Sequence, residues 1–147
     1  NDYSNVKFNQ IEDININMDY GNLSLGTADK VVIEGDYSNF KCERLNNLLT
    51  VSMDYGSVKV NNVASTTRNI AITTDYSDIK LGFSPDMGFS FECDLQYGGL
   101  SGKDYLNFIE KIEKNSSAHY KATSDRGAGN CKVRINSEYG GVKIFRN

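Results

Sequence analysis

The stretch ININMDYGNLSL, residues 14–25, carries the pattern that decides the fold. Its first half alternates apolar and polar side chains up to Tyr20, which is the period of a strand with one buried face. After Tyr20 the alternation slips by one position, because the next apolar residues are Leu23 and Leu25. An odd step inside an alternating pattern indicates a bend or bulge. We expect Gly21 to supply the backbone freedom for this bend, because glycine adopts unusual torsion angles at the least cost.

The same phrase returns along the whole chain at a nearly constant interval. An acidic residue or Gln precedes a Tyr, Ser or Gly follows it, and an alternating apolar pair comes after one free position. The tyrosines of these phrases are Tyr3, Tyr20, Tyr37, Tyr55, Tyr76, Tyr97 and Tyr139. The steps between them are 17, 17, 18, 21, 21 and 42 residues, the last being two steps of 21. A period of this size is the sequence signature of stacked structural repeats.

Each repeat predicts a longer strand, a corner at the Tyr, and a shorter strand. The chain is therefore predicted to be all-β, a single-domain parallel β-solenoid over residues 1–147 with about eight short rungs spaced about 4.8 Å apart. Antiparallel hairpins are the alternative, because repeated short strands also suit a β-sandwich. The Asn-Gly and Asp-Gly dipeptides that favour tight hairpins do not occur, which favours the solenoid.

One segment, residues 103–120, departs from the repeat. It lacks the Tyr-Ser/Gly corner that a step of 21 residues would place there. Tyr105, Phe108, Ile109 and Ile112 recur at helical spacing, and Asp104 suits an N-cap. We expect a short helical or irregular excursion inserted into the stack, which covers its open side or contacts a partner.

Composition excludes several classes of protein. Apolar residues make up 39% and charged residues 24%, which is unlike a disordered chain, and the net charge of −3 with no basic face argues against nucleic-acid binding. No apolar run is long enough for a transmembrane helix. The chain starts inside a repeat without Met, so we expect a mature or trimmed chain. The three cysteines, Cys42, Cys93 and Cys131, fall at apolar positions and are predicted to be buried thiols.

The tyrosines are the candidate binding residues. Aromatic side chains stacked on one face could bind sugar rings, because an apolar body with a polar tip suits that contact. The alternative is a structural ladder, since each Tyr continues the apolar phase before it and its ring would lie in or at the edge of the core. The sequence leaves both interpretations open for Tyr3, Tyr20, Tyr37, Tyr55, Tyr76, Tyr97 and Tyr139.

A row of acidic residues precedes these tyrosines: Asp2, Asp19, Asp36, Asp54, Asp75 and Glu138. Calcium could neutralise such a row, but the Gly-Gly-x-Gly-x-Asp pattern of calcium-binding repeats is absent. Solvent, carboxylates that cap corner N–H groups, and a parallel row of lysines explain the acids more simply. Those lysines lie five residues after their acids: Lys7, Lys41, Lys59, Lys80 and Lys143. We therefore predict no metal and no cofactor.

Catalysis ranks last among the functional classes. Enzymes built on parallel β-helices need acids or bases that converge in a groove, whereas the acids here form a periodic row. His119 is the one histidine, lies in the irregular segment, and has no Ser or Cys motif beside it. A histidine that is solvated or hydrogen-bonded to a local partner is the expectation, and the chain is predicted not to be an enzyme.

The phrases MDYGNLSL, MDYGSVKV, TDYSDIKL and SEYGGVKIF resemble the β-strand repeats of the "putative adhesin" domains of bacterial cell-envelope proteins. The resemblance covers nearly the whole chain and implies an exported protein of the bacterial cell surface or periplasm. It implies no catalytic residues. We expect a non-catalytic module whose extended surface binds a glycan or an envelope protein. A structural spacer is the alternative, and a polysaccharide-active enzyme comes third.

Overall fold

The computed structural model describes residues 2–84, 87–127 and 129–146, and the side chains of 5–84, 87–127 and 129–145. Its strands belong to one sheet that curls into a half-barrel. The strands are β1 (Asp2–Val63), β2 (Asn69–Phe83), β3 (Phe89–Gln96), β4 (Leu100–Ser101), β5 (Leu106–Glu113), β6 (Ser117–Ser124), β7 (Cys131–Glu138) and β8 (Val142–Arg146). A single 3₁₀ turn, Lys103–Tyr105, precedes β5.

β1 is long because its extended backbone continues through three tyrosine corners. Side chains 17 or 18 residues apart within it are hydrogen-bonded, as in the bonds from Asn39 to Asn22 and from Ser57 to Asn39. Tyr20, Tyr37 and Tyr55 stack on one another in the same way. Successive segments of β1 therefore lie side by side in register, at the interval that the sequence repeat predicts.

The last repeat does not lie last in the sheet. β7 pairs in parallel with β2 on one side and with β3 on the other, and β8 lies between β2 and β4. The C-terminal repeat is thus inserted between the repeats that precede it in sequence. Both of its edges are hydrogen-bonded, which buries its apolar face more completely than a place at the end of the sheet would.

The prediction of a helix at residues 103–120 is wrong, although the segment does depart from the repeat as expected. After the 3₁₀ turn the chain forms a hairpin, with β5 antiparallel to β6 and β6 antiparallel to β3. Of the apolar residues that suggested a helix, Tyr105 ends the 3₁₀ turn, whereas Phe108, Ile109 and Ile112 lie in β5, and both Ile side chains are exposed. Six of the eight β5 residues are exposed, as expected of a strand at the edge of a sheet.

The core lies inside the bends of the sheet. Alternate residues before each corner and alternate residues after it point to the same interior, so both sides of a corner contribute to one apolar cluster. Phe83 and Phe89 stack with ring centroids 3.9 Å apart where the chain passes between two repeats. Cys42, Cys93 and Cys131 are free thiols buried in this cluster, which confirms the prediction for them.

The all-β prediction is confirmed, whereas a wholly parallel solenoid is not shown, because the sheet mixes parallel and antiparallel pairs. In the described part of the chain, no helix is long and apolar enough to cross a membrane.

Candidate binding surface

Six tyrosines hold the corners in a strained backbone conformation. Their φ angles lie between 53° and 57°, in the left-handed region that bulky L-residues rarely adopt. They are Tyr20, Tyr37, Tyr55, Tyr76, Tyr97 and Tyr139. The expectation that Gly21 provides the freedom for the bend is wrong, because the unusual torsion angle belongs to the preceding Tyr. The phase slip in the sequence marks this left-handed residue.

Ser and Gly alternate behind the rings from Tyr20 to Tyr139, and Gly98 then lies beside Gly140. Small residues are needed because neighbouring backbones come very close there. A Cβ atom on Gly56 would overlap the carbonyl oxygen of Ser38, and one on Gly140 would overlap that of Ser77. Ser38 and Ser77 are buried, and the Ser77 hydroxyl accepts a hydrogen bond of 3.0 Å from the Gly56 N–H. A serine at one corner is thus accommodated by a glycine at the next. The sequence suggested that carboxylates of the acidic row cap the corner N–H groups. The Gly56 N–H instead donates to the Ser77 hydroxyl.

The six rings form a continuous stack, the tyrosine ladder, in the spatial order Tyr20, Tyr37, Tyr55, Tyr76, Tyr139, Tyr97. Neighbouring centroids are 4.7–4.9 Å apart and ring planes differ by 1–9°. The rings are 46–60% exposed and do not join the core, contrary to the expectation from their apolar phase. The left-handed corner turns each ring outward. The side chain of Tyr3 lies outside the described residues.

The stacking decides which part of each Tyr a ligand can reach. An inner ring has a neighbour on both faces, so its exposed surface consists of the ring edge and the hydroxyl. None of the six hydroxyls is hydrogen-bonded to another residue that the structure describes. The ladder therefore presents a row of hydroxyls with a regular spacing and does not present flat faces to sugar rings. Tyr97, at one end, is the most exposed of the six at 60%.

The hydroxyl of Tyr139 stays protonated at neutral pH. The pKa of Tyr139 is raised by desolvation and, to a lesser extent, by the neighbouring Tyr97, Tyr76 and Glu138. Its hydroxyl is thus a hydrogen-bond donor as well as an acceptor.

The acidic row lies along one side of the ladder. Asp54 pairs in register with Asp75, and Asp75 pairs with Glu138. The pKa of Asp54 is raised by desolvation and by the neighbouring carboxylates of Asp75 and Asp36. No ion pair between described residues joins this row to the lysines. No group of three or more His, Cys, Asp or Glu side chains in the described part of the chain is arranged to hold a metal ion. The side chain of Asp2 lies outside the described residues.

Three Asn side chains and one Ser side chain lie on the other side of the ladder, each two residues after a Tyr of the repeats in β1. Ser57 donates to Asn39, Asn39 to Asn22 and Asn22 to Asn5, over 2.7–2.9 Å. This chain of hydrogen bonds was missed from the sequence, although the 17-residue spacing of the three asparagines was a visible signal. It ties successive segments of β1 together.

A row of lysines follows two positions further from the ladder. Lys59 pairs in register with Lys80, and Lys80 with Lys143. Lys41 lies beside Lys59, because Ser57 and Asn39, two residues before them, are hydrogen-bonded. We call Lys41, Lys59, Lys80 and Lys143 the lysine row; the prediction that these lysines form a parallel outer row is confirmed for these four. Lys7 lies beyond Ser24 in the same shallow depression of about 550 Å³, which Lys41 and Lys59 also line.

A polar cleft of about 510 Å³ lies where the hairpin meets the sheet. His119 in β6 faces Asp94 in β3, and its Nδ1 is hydrogen-bonded to the Asp94 carboxylate, which raises the pKa of the imidazole. Ser117 also lines the cleft but is not bonded to His119. The histidine is hydrogen-bonded, but to a residue on another strand and not to the local partner that the sequence suggested. The pair could not be foreseen, because its members are 25 residues apart and meet only through the antiparallel pairing.

The cysteines do not add a reactive group to the surface. Burial raises the pKa of Cys42 to about 11 and the pKa values of Cys93 and Cys131 to about 12. Thiols with such pKa values are protonated at neutral pH and are poor nucleophiles.

No protein-family model matches this chain, and no curated protein matches it significantly. Among solved structures, the chain is similar to a crystal structure from Clostridium sporogenes described as a "putative cell adhesion protein", with 15% sequence identity and a TM-score of 0.44. The match covers 90% of this chain and 57% of the Clostridium chain, so this chain spans little more than half of that protein.

Proposed function

We propose that this chain is a non-catalytic binding module of a bacterial cell envelope, which holds an extended glycan or protein ligand along the tyrosine ladder. The observation that carries the proposal is the exposed row of six stacked tyrosines at positive φ. The placement at the cell surface or in the periplasm rests on the sequence resemblance.

The backbone strain supports a role for the tyrosines beyond folding. A left-handed L-residue costs roughly 1–2 kcal/mol, and Gly or Asn would meet the same corner at lower cost. Six such positions keep Tyr. Ring stacking offsets part of the cost, at about 0.5–1.5 kcal/mol for each pair. The hydroxyls contribute nothing to the stacking and are free to bond a ligand.

The regular spacing favours an extended ligand over a compact one. The ring-to-ring distance of 4.7–4.9 Å repeats five times along the ladder. A polymer that lies along the stack would meet equivalent groups at each step, and many weak hydrogen bonds would then add up. We infer that the repeats with a tyrosine corner form a parallel, solenoid-like stack along which such a polymer would lie. The in-register parallel pairing of β1 with β2, β2 with β7 and β7 with β3 supports this inference.

The absence of catalysis remains part of the proposal. The polar cleft holds the one His–Asp pair of the described residues, and neither a hydroxyl nor a thiol is hydrogen-bonded to His119 there. A mechanism in which this histidine activates a Ser or Cys nucleophile would need such a contact.

A structural spacer is the second candidate, and the ladders of hydrogen bonds favour it. The amide chain from Asn5 to Ser57 and the stacked rings would stiffen the stack whether or not a ligand binds. In that case the rings would matter and the hydroxyls would not.

The hydroxyls separate the two candidates. The triple substitution Tyr37→Phe, Tyr55→Phe and Tyr76→Phe keeps the stacked rings and removes three hydroxyls. Wild type and variant are tested for capture on immobilised polysaccharides and on whole bacterial envelopes, with Tyr105→Phe as a control tyrosine outside the ladder. We expect the triple variant to lose capture while its thermal unfolding is unchanged, and Tyr105→Phe to bind as wild type. If the wild type captures nothing, or the triple variant binds equally well, the binding proposal is wrong and the spacer is favoured.

A further inference from the structure

The lysine row places like charges side by side at the strand spacing. Lys59, Lys80 and Lys143 are direct neighbours across parallel pairs. Like charges in such positions repel one another and destabilise a sheet. With Lys41 the row extends over about 14 Å, three strand spacings of about 4.8 Å. In a chain with a net charge of −3, this is a concentrated basic strip.

Few carboxylates compensate this strip. Glu43 is 3.4 Å from Lys41, and its lowered pKa arises first from a hydrogen bond to Asn61 and then from Lys41 and Lys59. Asp78 lies two residues before Lys80, and its carboxylate accepts a hydrogen bond from the Gly141 N–H. Among the described residues, Lys59, Lys80 and Lys143 form no ion pair. An anionic partner would therefore relieve the repulsion within the row.

The neighbouring rows limit the shape of that partner. At the corners of Tyr37 and Tyr55 the surface presents a carboxylate, then the Tyr hydroxyl, then an amide or hydroxyl group, then a lysine, as in Asp54, Tyr55, Ser57 and Lys59. At the corners of Tyr76 and Tyr139, Asp78 and Gly141 take the third place before the lysine. A broad anionic body such as duplex nucleic acid or a membrane would bring its charges against the acidic row. A single narrow chain can lie along the lysines without reaching the acidic row, and the carboxylates beside it are then Glu43 and Asp78. The hydroxyl groups of that chain would face the tyrosine ladder.

We infer that the lysine row binds a linear acidic polysaccharide, with its carboxylates on the lysines and its hydroxyls toward the ladder. This inference rests on the proposed function and names the ligand class for it. The ammonium groups on four adjacent strand segments supply several weak contacts, so binding is cumulative and weakens as salt is added.

The test measures binding to alginate, a linear polyuronate, at low and high ionic strength. Neutral dextran, single-stranded DNA and anionic phospholipid vesicles serve as comparison ligands. The double substitution Lys59→Gln and Lys80→Gln is compared with Lys121→Gln and Lys132→Gln, which changes the net charge equally on exposed positions outside the row. We expect the first pair to weaken alginate binding about fivefold and the control pair to leave it unchanged. Glu43→Gln removes the acid beside Lys41 and is expected to tighten binding.

Several outcomes would overturn the inference. If both double lysine variants lose alginate binding equally, the binding reflects net charge and not the lysine row. Tighter binding to DNA or vesicles than to alginate would assign the row to another partner. Capture of dextran without alginate would leave the proposed function intact and refute the acidic ligand. If the lysine pair weakens alginate binding while the triple Tyr→Phe variant changes nothing, the row binds polyuronate and the tyrosine ladder is not the binding surface. Thermal unfolding of each variant confirms that it is folded.

Discussion

At the scale of single residues, the corner tyrosines are the unusual feature of this chain. Left-handed backbone normally selects Gly or Asn, because a Cβ atom crowds the following carbonyl oxygen. Here the stacked neighbours hold each ring in place and the corner turns it outward. Backbone strain and side-chain stacking therefore act on the same residue with opposite signs.

Substitutions at Tyr55 separate these two contributions. Tyr55→Ala and Tyr55→Gly both remove the ring, but only Ala keeps the left-handed penalty. We expect the Gly variant to be more stable than the Ala variant by about 0.5–1 kcal/mol, after the larger entropy that Gly loses on folding. Ser52 is an exposed position of β1 without positive φ, so Ser52→Ala should be more stable than Ser52→Gly there. Urea unfolding measures both pairs, and the same order at the two sites would contradict the strain argument.

The acidic row predicts a pH-dependent cost at Asp54. Its raised pKa means that the folded state holds the proton more tightly than the unfolded state does. This stabilising contribution is complete below the ordinary value of 3.8 and is lost as the pH rises through the folded pKa. At pH 7 the charged side chain therefore opposes folding.

We expect Asp54→Asn to raise the free energy of unfolding at neutral pH by up to about 0.5 kcal/mol. The gain should vanish below pH 3.8. Asp104→Asn, an exposed acid outside the row, controls for the change in net charge. Denaturant titrations over a pH series test this, and a gain that persists in acid, or that Asp104→Asn matches, would refute repulsion within the row.

At the scale of the strands, alternation decides which side chains enter the core. Ile72 is 1% exposed and lies between Val51 of β1 and Ile135 of β7. Thr73, the next residue, is exposed on the outer face. A shift of the register by one residue would exchange the two environments.

Ile72→Asp should lower the free energy of unfolding by at least about 3 kcal/mol, because a lone carboxylate would be buried. Thr73→Asp is the matched control and should change stability by about 0.5 kcal/mol or less. Thermal unfolding followed by circular dichroism compares them. Equal stability of the two variants, or a larger loss at Thr73, would show that the register is wrong.

At the scale of the whole molecule, the order of the repeats is the feature to test. In a sequential stack Thr73 would lie beside Asp94, 21 residues later. In the structure Asn136 separates them, pairing with Thr73 on one side and with Asp94 on the other. Thr73 and Asp94 are then two strand spacings apart, roughly 9.6 Å.

Engineered cysteines distinguish the two orders. A disulfide requires Cα atoms about 4.4–6.8 Å apart, which the direct neighbours satisfy and the second neighbours do not. The variant Thr73→Cys with Asn136→Cys is expected to crosslink under mild oxidation, and Thr73→Cys with Asp94→Cys is not. Mass spectrometry of peptides identifies the bonds. A crosslink in the second pair alone would restore the sequential order and refute the inserted repeat.

The sequence by itself determined the local structure. Alternating apolar residues indicated the strands and their buried face, the phase slip marked each corner, and the period placed Tyr beside Tyr. The lysine row and the buried cysteines followed from the same register. These features depend on side chains a few residues apart, or one repeat apart, so they can be recognised without knowing the path of the chain.

Only the tertiary structure decided the outward position of the rings, the inserted C-terminal repeat and the hairpin at residues 106–124. The ring position depends on a torsion angle that Tyr rarely adopts and that neighbouring strands impose. The repeat order depends on which strand edges the C-terminal repeat pairs with, and β7 pairs with β2 and β3. The pairing of His119 with Asp94 depends on the antiparallel pairing of β6 with β3, and the other strand of that hairpin, β5, has an apolar spacing that resembles a helix. Each is set by contacts between distant segments, and a local pattern does not encode which segments meet.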